Sequence, residues 1–298
     1  MAKANKCFIV PLVIGLIVLL VGILMVTVIF PNLIEKEVVS NVELKDGTLQ
    51  WYRFREIPFP FNFNVYLFAI TNKDEVLAGK KPQVREVGPF VYKEHRKKVI
   101  HGIEDDQIVY SDSLTYVFNQ TESGEISEDD PITVLNSPVT AILQSLETLP
   151  ISLGINIEDV LKDIFQDTNV FMEVKVKDLT FGGIRMCDPA RNPSGVAKLV
   201  CLVIMLMNQK LLEYHEDLSM SFSLFKYKTK LDGPFTINSG VKNVDNLGSI
   251  TSYKGQEYTQ FWEGEKSQCD KVNGFYTTFP PFMEENSNYP VYSTDICK

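Results

Sequence analysis

Few side chains in this sequence are able to do covalent or metal chemistry, and their spacing limits what they can do. Five cysteines stand at Cys7, Cys187, Cys201, Cys269 and Cys297, and three histidines at His95, His101 and His215. No histidine has a cysteine at ligand spacing, so a zinc site is not indicated. There is no G-x-S-x-G elbow, no phosphate-cradling glycine loop and no His-Glu-x-x-His pair. The carboxylate pairs Asp105-Asp106 and Asp129-Asp130 fall in hydrophilic turns, where solvation accounts for them. The reading is a non-enzyme, with no catalytic residue, no metal and no cofactor. What remains is cross-linking and modification. Four of the cysteines, Cys187 onward, allow three pairings if they meet an oxidising compartment. The favoured bridge is Cys187–Cys201, which closes a loop of about 15 residues and contributes roughly 3 kcal/mol. Asn119-Gln120-Thr121 is the single glycosylation sequon. Cys7 is a candidate for S-palmitoylation.

The compartment is set by the N-terminal segment. Residues 7–34 carry no charge, and residues 7–30 are apolar almost throughout. As a helix, that run of residues 7–30 is roughly 36 Å long, enough to cross a hydrocarbon core of about 30 Å. A cleaved signal peptide has a shorter apolar region and a small-residue cleavage site, neither of which is present. Lys3 and Lys6 precede the span and Glu35 and Glu37 follow it. The positive-inside bias then puts residues 1–6 in the cytoplasm and residues 31–298 outside, with 7–30 as the transmembrane helix. All 38 acidic residues and all but two of the 29 basic ones lie beyond the span. That acidic balance excludes nucleic acid and an anionic lipid surface as partners. Gly15 and Gly22 share a face of the span.

The outer part reads as α+β. Leu33, Ile34, Val38 and Val42 continue at helical spacing until Asp46-Gly47. Pro58 and Pro60 break any helix, and FNFNVYLFAI then reads as a strand. Further strands are expected in VREVGPFVYKEH, QIVYSDSLTYVFN, FMEVKVKDLTF and SMSFSLFKYK, separated by turn residues as antiparallel pairing requires. The run KEHRKK is expected to be the solvated end of a strand. Ser137 is expected to cap a helix with Pro138 at its first position and a stripe of Val139, Ile142, Leu143 and Leu146. Asn156 caps a second, with Ile157, Val160, Leu161, Ile164 and Phe165 on one face. A third is expected from Asn192-Pro193 to about Tyr214.

With these elements placed, the chain resembles the class B scavenger receptors, most nearly the insect sensory neuron membrane proteins. The resemblance is carried by Trp51, Pro58-Phe59-Pro60, VYLFAITNKDEV at 65–76, GKKP at 79–82, EVGPFVYKEHRKK at 86–98 and GEISEDDPITV at 124–134. It returns in YKGQEYTQFW at 253–262, Cys269, TFPPF at 278–282 and STDIC at 293–297. It implies an irregular antiparallel β-barrel ectodomain, a helical apex bundle at about residues 137–214, and an apolar tunnel. It also implies that this chain matches the N-terminal portion of the family pattern. The family pattern has more strands, more cysteines and a second span beyond that portion. The family's equivalents of Cys269 and Cys297 pair with cysteines further along, which leaves both without those partners here.

The resemblance further implies a receptor that captures fatty acids or fatty-acid-derived pheromones and delivers them to the membrane or a neighbouring odorant receptor. Ile142, Leu146, Ile157, Val160, Leu161, Ile164 and Phe165 are the apex candidates for ligand contact. The alternative is a scavenger, adhesion or sorting receptor that binds a lipoprotein or protein through the same apex. Scavenging members carry lysines where this chain has Gln166 and Thr168, with Asp163 and Asp167 nearby and only Lys162 basic. That departure disfavours acidic particles and favours a small, mostly apolar ligand.

Overall fold

A computed structural model describes residues 2–148, 156–207, 209–259 and 270–293. Helix α1 (Ala2–Leu24) passes through a π-helical turn (Met25–Ile29) into α2 (Phe30–Val42) without a break. Within that turn Thr27 Oγ1 donates back to the Ile23 carbonyl at 2.8 Å, and Pro31 removes a donor just beyond it. The side chains of residues 10–34 are all exposed, and Val10–Val42 is the one helix among the described residues long and apolar enough to cross a membrane. The chain then forms α3 (Leu49–Arg55), β1 (Phe61–Ile70), α4 (Lys73–Leu77), β2 (Val84–Glu104), β3 (Gln107–Phe118), α5 (Gln120–Ser123) and β4 (Pro131–Leu135). It continues through α6 (Ser137–Thr148), α7 (Ile157–Ile164), β5 (Phe171–Lys175), β6 (Ile184–Met186), α8 (Gly195–Leu206), β7 (Leu212–Tyr214), β8 (Met220–Phe222), β9 (Asp232–Asn238) and β10 (Ile250–Tyr253).

The chain divides into two compact units. One comprises Met1–Pro58, Lys97–Asp112 and Asp232–Lys298. In it β9 lies between β3 and β10, antiparallel to both, with Tyr110 opposite Phe235 and Ile237 opposite Ile250. Thr48 caps α3 by accepting from the Trp51 amide at 3.2 Å, which turns Trp51 and Phe54 inward. They join Leu44, Ile108, Tyr110, Phe235, Ile237, Leu247, Ile250, Tyr253 and Val272 in one core, against which Val42 packs. The Lys98 ammonium lies in this interior, 5.0 Å from the Phe54 ring centroid, 5.3 Å from that of Tyr110 and 3.4 Å from Asp112 Oδ1. Asp112 stands opposite Asp232 across the β3–β9 pair, and Asp232 accepts from the Tyr253 hydroxyl at 2.6 Å. Gly248 (φ +76°) is required where it stands, because a Cβ there would lie 2.2 Å from the Thr278 carbonyl oxygen.

The second unit comprises Phe59–Arg96 and Ser113–Leu231. Here β1 pairs antiparallel with β2, from Phe61 opposite Glu94 to Ile70 opposite Val84. Alternation puts Val65, Leu67 and Ala69 inside and Tyr66 and Phe68 outside. β4 pairs with β5, and β8 lies between β6 and β7. All these pairings are antiparallel. The expected barrel does not appear: β1 is paired on one side only, and among the described residues no sheet closes on itself. KEHRKK also differs from expectation. It lies within β2 rather than at a solvated end, with Glu94 and Lys98 buried and only His95 to Lys97 exposed between them. Glu94 is paired with Arg96 at 2.5 Å.

Candidate functional site

Helices α6 and α8 and the small β6–β8–β7 sheet of the second unit surround a largely apolar pocket. The N-terminus of α6 is capped by Asn136 rather than Ser137: Asn136 Oδ1 accepts from the Val139 amide at 3.4 Å. Its Nδ2 donates to the carbonyls of Asp167 and Asn169, which ties the helix start to the β5 approach. Asn156 caps α7 as its sequence position predicts, accepting from the Glu158 amide at 3.1 Å. The far end of α7 is held by three hydrogen bonds: Arg191 to the Lys162 carbonyl (2.7 Å), the Ser194 amide to Asp163 Oδ2 (2.9 Å) and the Cys187 amide to the Ile164 carbonyl (2.9 Å). The bonds from Ser194 hold the Asp163 carboxyl below its ordinary range. The third helix is shorter than expected. Ser194 caps α8, which stops at Leu206, and Leu212–Tyr214 is strand β7 instead of a last helical turn.

Cys187 and Cys201 form a disulfide with their Cα atoms 5.9 Å apart. It joins the chain just after β6 to the middle of α8. Met186 and Ile204, one position from Cys187 and three from Cys201, both line the pocket. Ala141, Ile142 and Gln144 of α6 line it as well, with Met207 at the end of α8 and Leu212 and Phe222 of the sheet. Its volume is about 390 Å³, which is within the size range of small-molecule sites.

The seven expected ligand-contact residues do not share one surface. Ile142 lines this pocket. Val160, Leu161, Ile164 and Phe165 are buried in the unit's core together with Val139 and Met172. Ile157 is exposed, and the Leu146 side chain lies outside the described residues. Gln166, Asp167 and Phe165 line a separate cleft whose other walls include Glu173, Lys175, Asp178 and Arg185. Its mixed charges make no basic patch. The other pocket walls escape sequence reading because β6, β7 and β8 are three residues each, too short to show a period of two.

Asn119 caps α5, its Oδ1 accepting from the Glu122 amide and its Nδ2 donating to Glu122 Oε1, both at 3.2 Å. Glu122 also meets Lys93 and Asn62, so the nitrogen that would carry a glycan sits at the edge of a polar network. Cys7 lies in α1 with its side chain outside the described residues, as Cys269 and Cys297 are entirely. His101 and His215 each lie 2.8 Å from a serine hydroxyl, Ser111 and Ser221, in different units. Among the described residues no cluster of His, Cys, Asp or Glu is arranged to hold a metal ion.

Comparison with known proteins gives a consistent result. The sequence pattern of the CD36 family matches residues 13–298. The chain is 34% identical over 293 residues to sensory neuron membrane protein 2 of Heliothis virescens, covering 96% of this chain and 55% of that one. It is 32% identical over 293 residues to sensory neuron membrane protein 2 of Ostrinia furnacalis, with the same coverage. To sensory neuron membrane protein 1 of Apis mellifera it is 29% identical over 294 residues, again 96% and 55%. The chain thus spans about half the length of the curated relatives it matches.

Proposed function

The chain belongs to the CD36 family, and on that premise we propose that it is a membrane receptor that captures small hydrophobic ligands. Residues 1–6 are its cytoplasmic tail, 7–30 its span, and 31–298 lie outside the cell with an apex at about 137–214. The observation that carries this reading is the pocket between α6, α8 and the β6–β8–β7 sheet, whose walls are mostly aliphatic. Burial of a long alkyl chain supplies the affinity: ten methylenes contribute roughly 8 kcal/mol before association costs are subtracted. No chemical step is needed. The ligand class is fatty acids or fatty-acid-derived pheromones, passed through an apolar tunnel to the bilayer or to a neighbouring odorant receptor. Glycosylation at Asn119 and palmitoylation at Cys7 belong to the same reading, as does the pairing of Cys269 and Cys297 with cysteines outside this chain.

A second reading, an adhesion, scavenger or sorting receptor, is favoured by one feature. Val196, Leu199, Leu202 and Leu206 form an exposed apolar stripe along α8, a surface that suits a protein or lipoprotein partner. One experiment separates the two. Ala141→Trp projects an indole into the pocket from an exposed position, so the fold is kept. In nanodiscs it is expected to weaken binding of N-phenyl-1-naphthylamine about tenfold or more, while Leu202→Asp leaves binding intact. If Ala141→Trp binds the probe as the unaltered chain does, the pocket is not the capture site. Loss on Leu202→Asp instead moves capture to the α8 stripe.

A further inference from the structure

Residues 226–230 read Lys-Tyr-Lys-Thr-Lys, a dense run of cations in a chain whose formal net charge is -9. Lys226–Thr229 form a 3-10 turn of the second unit. The Lys228 amide donates to the Phe225 carbonyl at 2.9 Å, and Thr229 Oγ1 to the Lys226 carbonyl at 2.8 Å. The turn is anchored just before it begins. The Leu224 and Phe225 amides donate to the Leu179 and Thr180 carbonyls at 2.9 and 2.8 Å. The Phe225 ring lies 5.2 Å from that of Phe63 and 5.9 Å from that of Phe181. A fourth cation joins from outside the run. The ammonium groups of Lys210 and Lys228 stand 5.9 and 5.5 Å from the ring centroid of Tyr227, so one ring gathers both. Lys210 and Lys230 are exposed, Lys226 and Lys228 half-buried. Strand β7 and the π-helical turn Asp178–Gly182 pack against the turn, and each brings one acid, Glu213 and Asp178. Four lysines against these two carboxylates leave the patch basic.

We propose that Lys210, Lys226, Lys228 and Lys230 form a docking surface for a linear sulfated polysaccharide. A short lysine-rich run on a folded surface suits a heparin-like chain. Lysine is a point charge with three donors rather than a planar fork, so it meets sulfate groups from many directions along a repeating polymer. Because backbone bonds and the Phe225 ring already hold the turn, little order has to be gained on binding. An anionic bilayer fits less well. It is a plane, and to reach these lysines it must also approach the rest of a chain in which carboxylates outnumber cations. A linear polyanion follows the patch alone, and acids more than about 8 Å away are screened from it at physiological salt. This surface needs residues 31–298 to lie outside the cell, as proposed above, where such glycans are met.

The test is titration of the whole chain in phosphatidylcholine nanodiscs with a fluorescein-labelled heparin oligosaccharide, followed by anisotropy at about 0.15 M salt. Empty nanodiscs give the background. The unaltered chain is expected to bind heparin, and fully desulfated heparin is expected to compete poorly. K226Q/K228Q/K230Q is expected to weaken binding about tenfold or more, and K226R/K228R/K230R to retain it. K73Q/K80Q/K81Q removes the same charge from exposed positions elsewhere in the second unit and is expected to change binding by no more than about twofold. Should the glutamine triple fail to fold, Lys230→Glu at the exposed end of the turn is expected to give a smaller loss of the same sign. Absence of heparin binding overturns the proposal, as does unchanged binding by the glutamine triple and by Lys230→Glu. An equal loss in K73Q/K80Q/K81Q overturns it in favour of net charge. Phosphatidylserine vesicles held more tightly than heparin by the same lysines overturn it in favour of a lipid surface. The assay reads the patch whichever way the chain faces, so failure of the proposed topology is seen separately, by protease accessibility on intact cells.

Discussion

In the unit that contains the N-terminal helix, the core mixes aliphatic side chains with aromatic rings, and the rings enclose a charge: Tyr110 and Phe235 stack at 5.6 Å between centroids, Phe235 and Tyr276 at 4.8 Å, and the Lys98 ammonium rests against Phe54 and Tyr110. In the other unit the side chains with no exposure at all are aliphatic or small, Ile164, Val176, Met220 and Ala197 among them, and the fastening is covalent, through Cys187 and Cys201. One interior is held by a cation among ring faces, the other by a cross-link beside a pocket. A buried ion tolerates little rearrangement, because displacing either partner strands the other. A disulfide fixes two points and leaves the walls between them to the packing of side chains.

The largest expected effect breaks the ion pair. Lys98→Met leaves Asp112 buried without its cation and is expected to cost about 3–5 kcal/mol, whereas Lys98→Met with Asp112→Leu recovers most of that loss. Urea denaturation followed by hydrogen exchange of the β3, β9 and β10 amides measures it. A double variant as unstable as the single one would mean that the polar cluster contributes more than charge balance. Next comes removal of the cross-link. Cys187→Ala with Cys201→Ala is expected to cost roughly 3 kcal/mol and to speed exchange in α7 and α8 while sparing β9 and β10. Equal acceleration in both units would mean that the cross-link holds both interiors alike.

The smallest effect is in the pH dependence, and it has opposite signs in the two units. Burial pushes the Asp112 carboxyl above its ordinary 3.8, outweighing the pull of Lys98. Its folded form therefore binds the proton more readily than its unfolded form, and its contribution grows as pH falls from neutral toward 3.8. In the other unit the shifted acids are lowered, Asp217 to about 2 by hydrogen bonds from Ser219 and then Arg185. The Ser219 hydroxyl donates at 2.6 Å. Glu122, Asp129, Glu158, Asp163 and Asp188 shift the same way. Their contribution is present above their unfolded values and is lost as pH falls from about 4 to about 2. Because these groups are exposed, the loss is small and should shrink further at high salt. Hydrogen exchange at pH 5, 4 and 2.5 is expected to show the first unit protected over the upper interval and the second loosened over the lower one.

The elements that were legible are those whose determinants are local. Asn156 caps α7 because the side chain, the backbone donor and the helix start lie within three residues. FNFNVYLFAI is long enough for its alternation to show, and α2 follows its apolar spacing to Val42. Cys187 and Cys201 were favoured from the loop they close, and they pair. What was not legible depends on partners distant in sequence. Lys98 reads as one more cation in KEHRKK until Phe54 and Tyr110 supply ring faces for it. Leu212–Tyr214 lies within the reach expected of the third helix, but its hydrogen bonds go to Met220–Phe222. The stripe on α7 predicted buried residues correctly, since Val160, Leu161 and Ile164 are inside. Spacing alone does not distinguish a face turned to the core from one turned to a ligand, and among the described side chains Ile142 is the one candidate at the apolar pocket.

The unbroken course from α1 through the π turn into α2 has a mechanical consequence. Val42 and Leu44 are packed in the aromatic core, and the Leu44 amide bonds the Ser239 carbonyl at 3.0 Å. The helix is therefore a shaft keyed into its unit, with no swivel of loose chain between bilayer and core. Its phase is fixed residue by residue: one residue inserted between Ile34 and Val38 would turn everything above it by about 100° and lift it by about 1.5 Å. Tilt or torque applied to the span in the bilayer is delivered to the folded unit as rotation rather than dissipated in a tether.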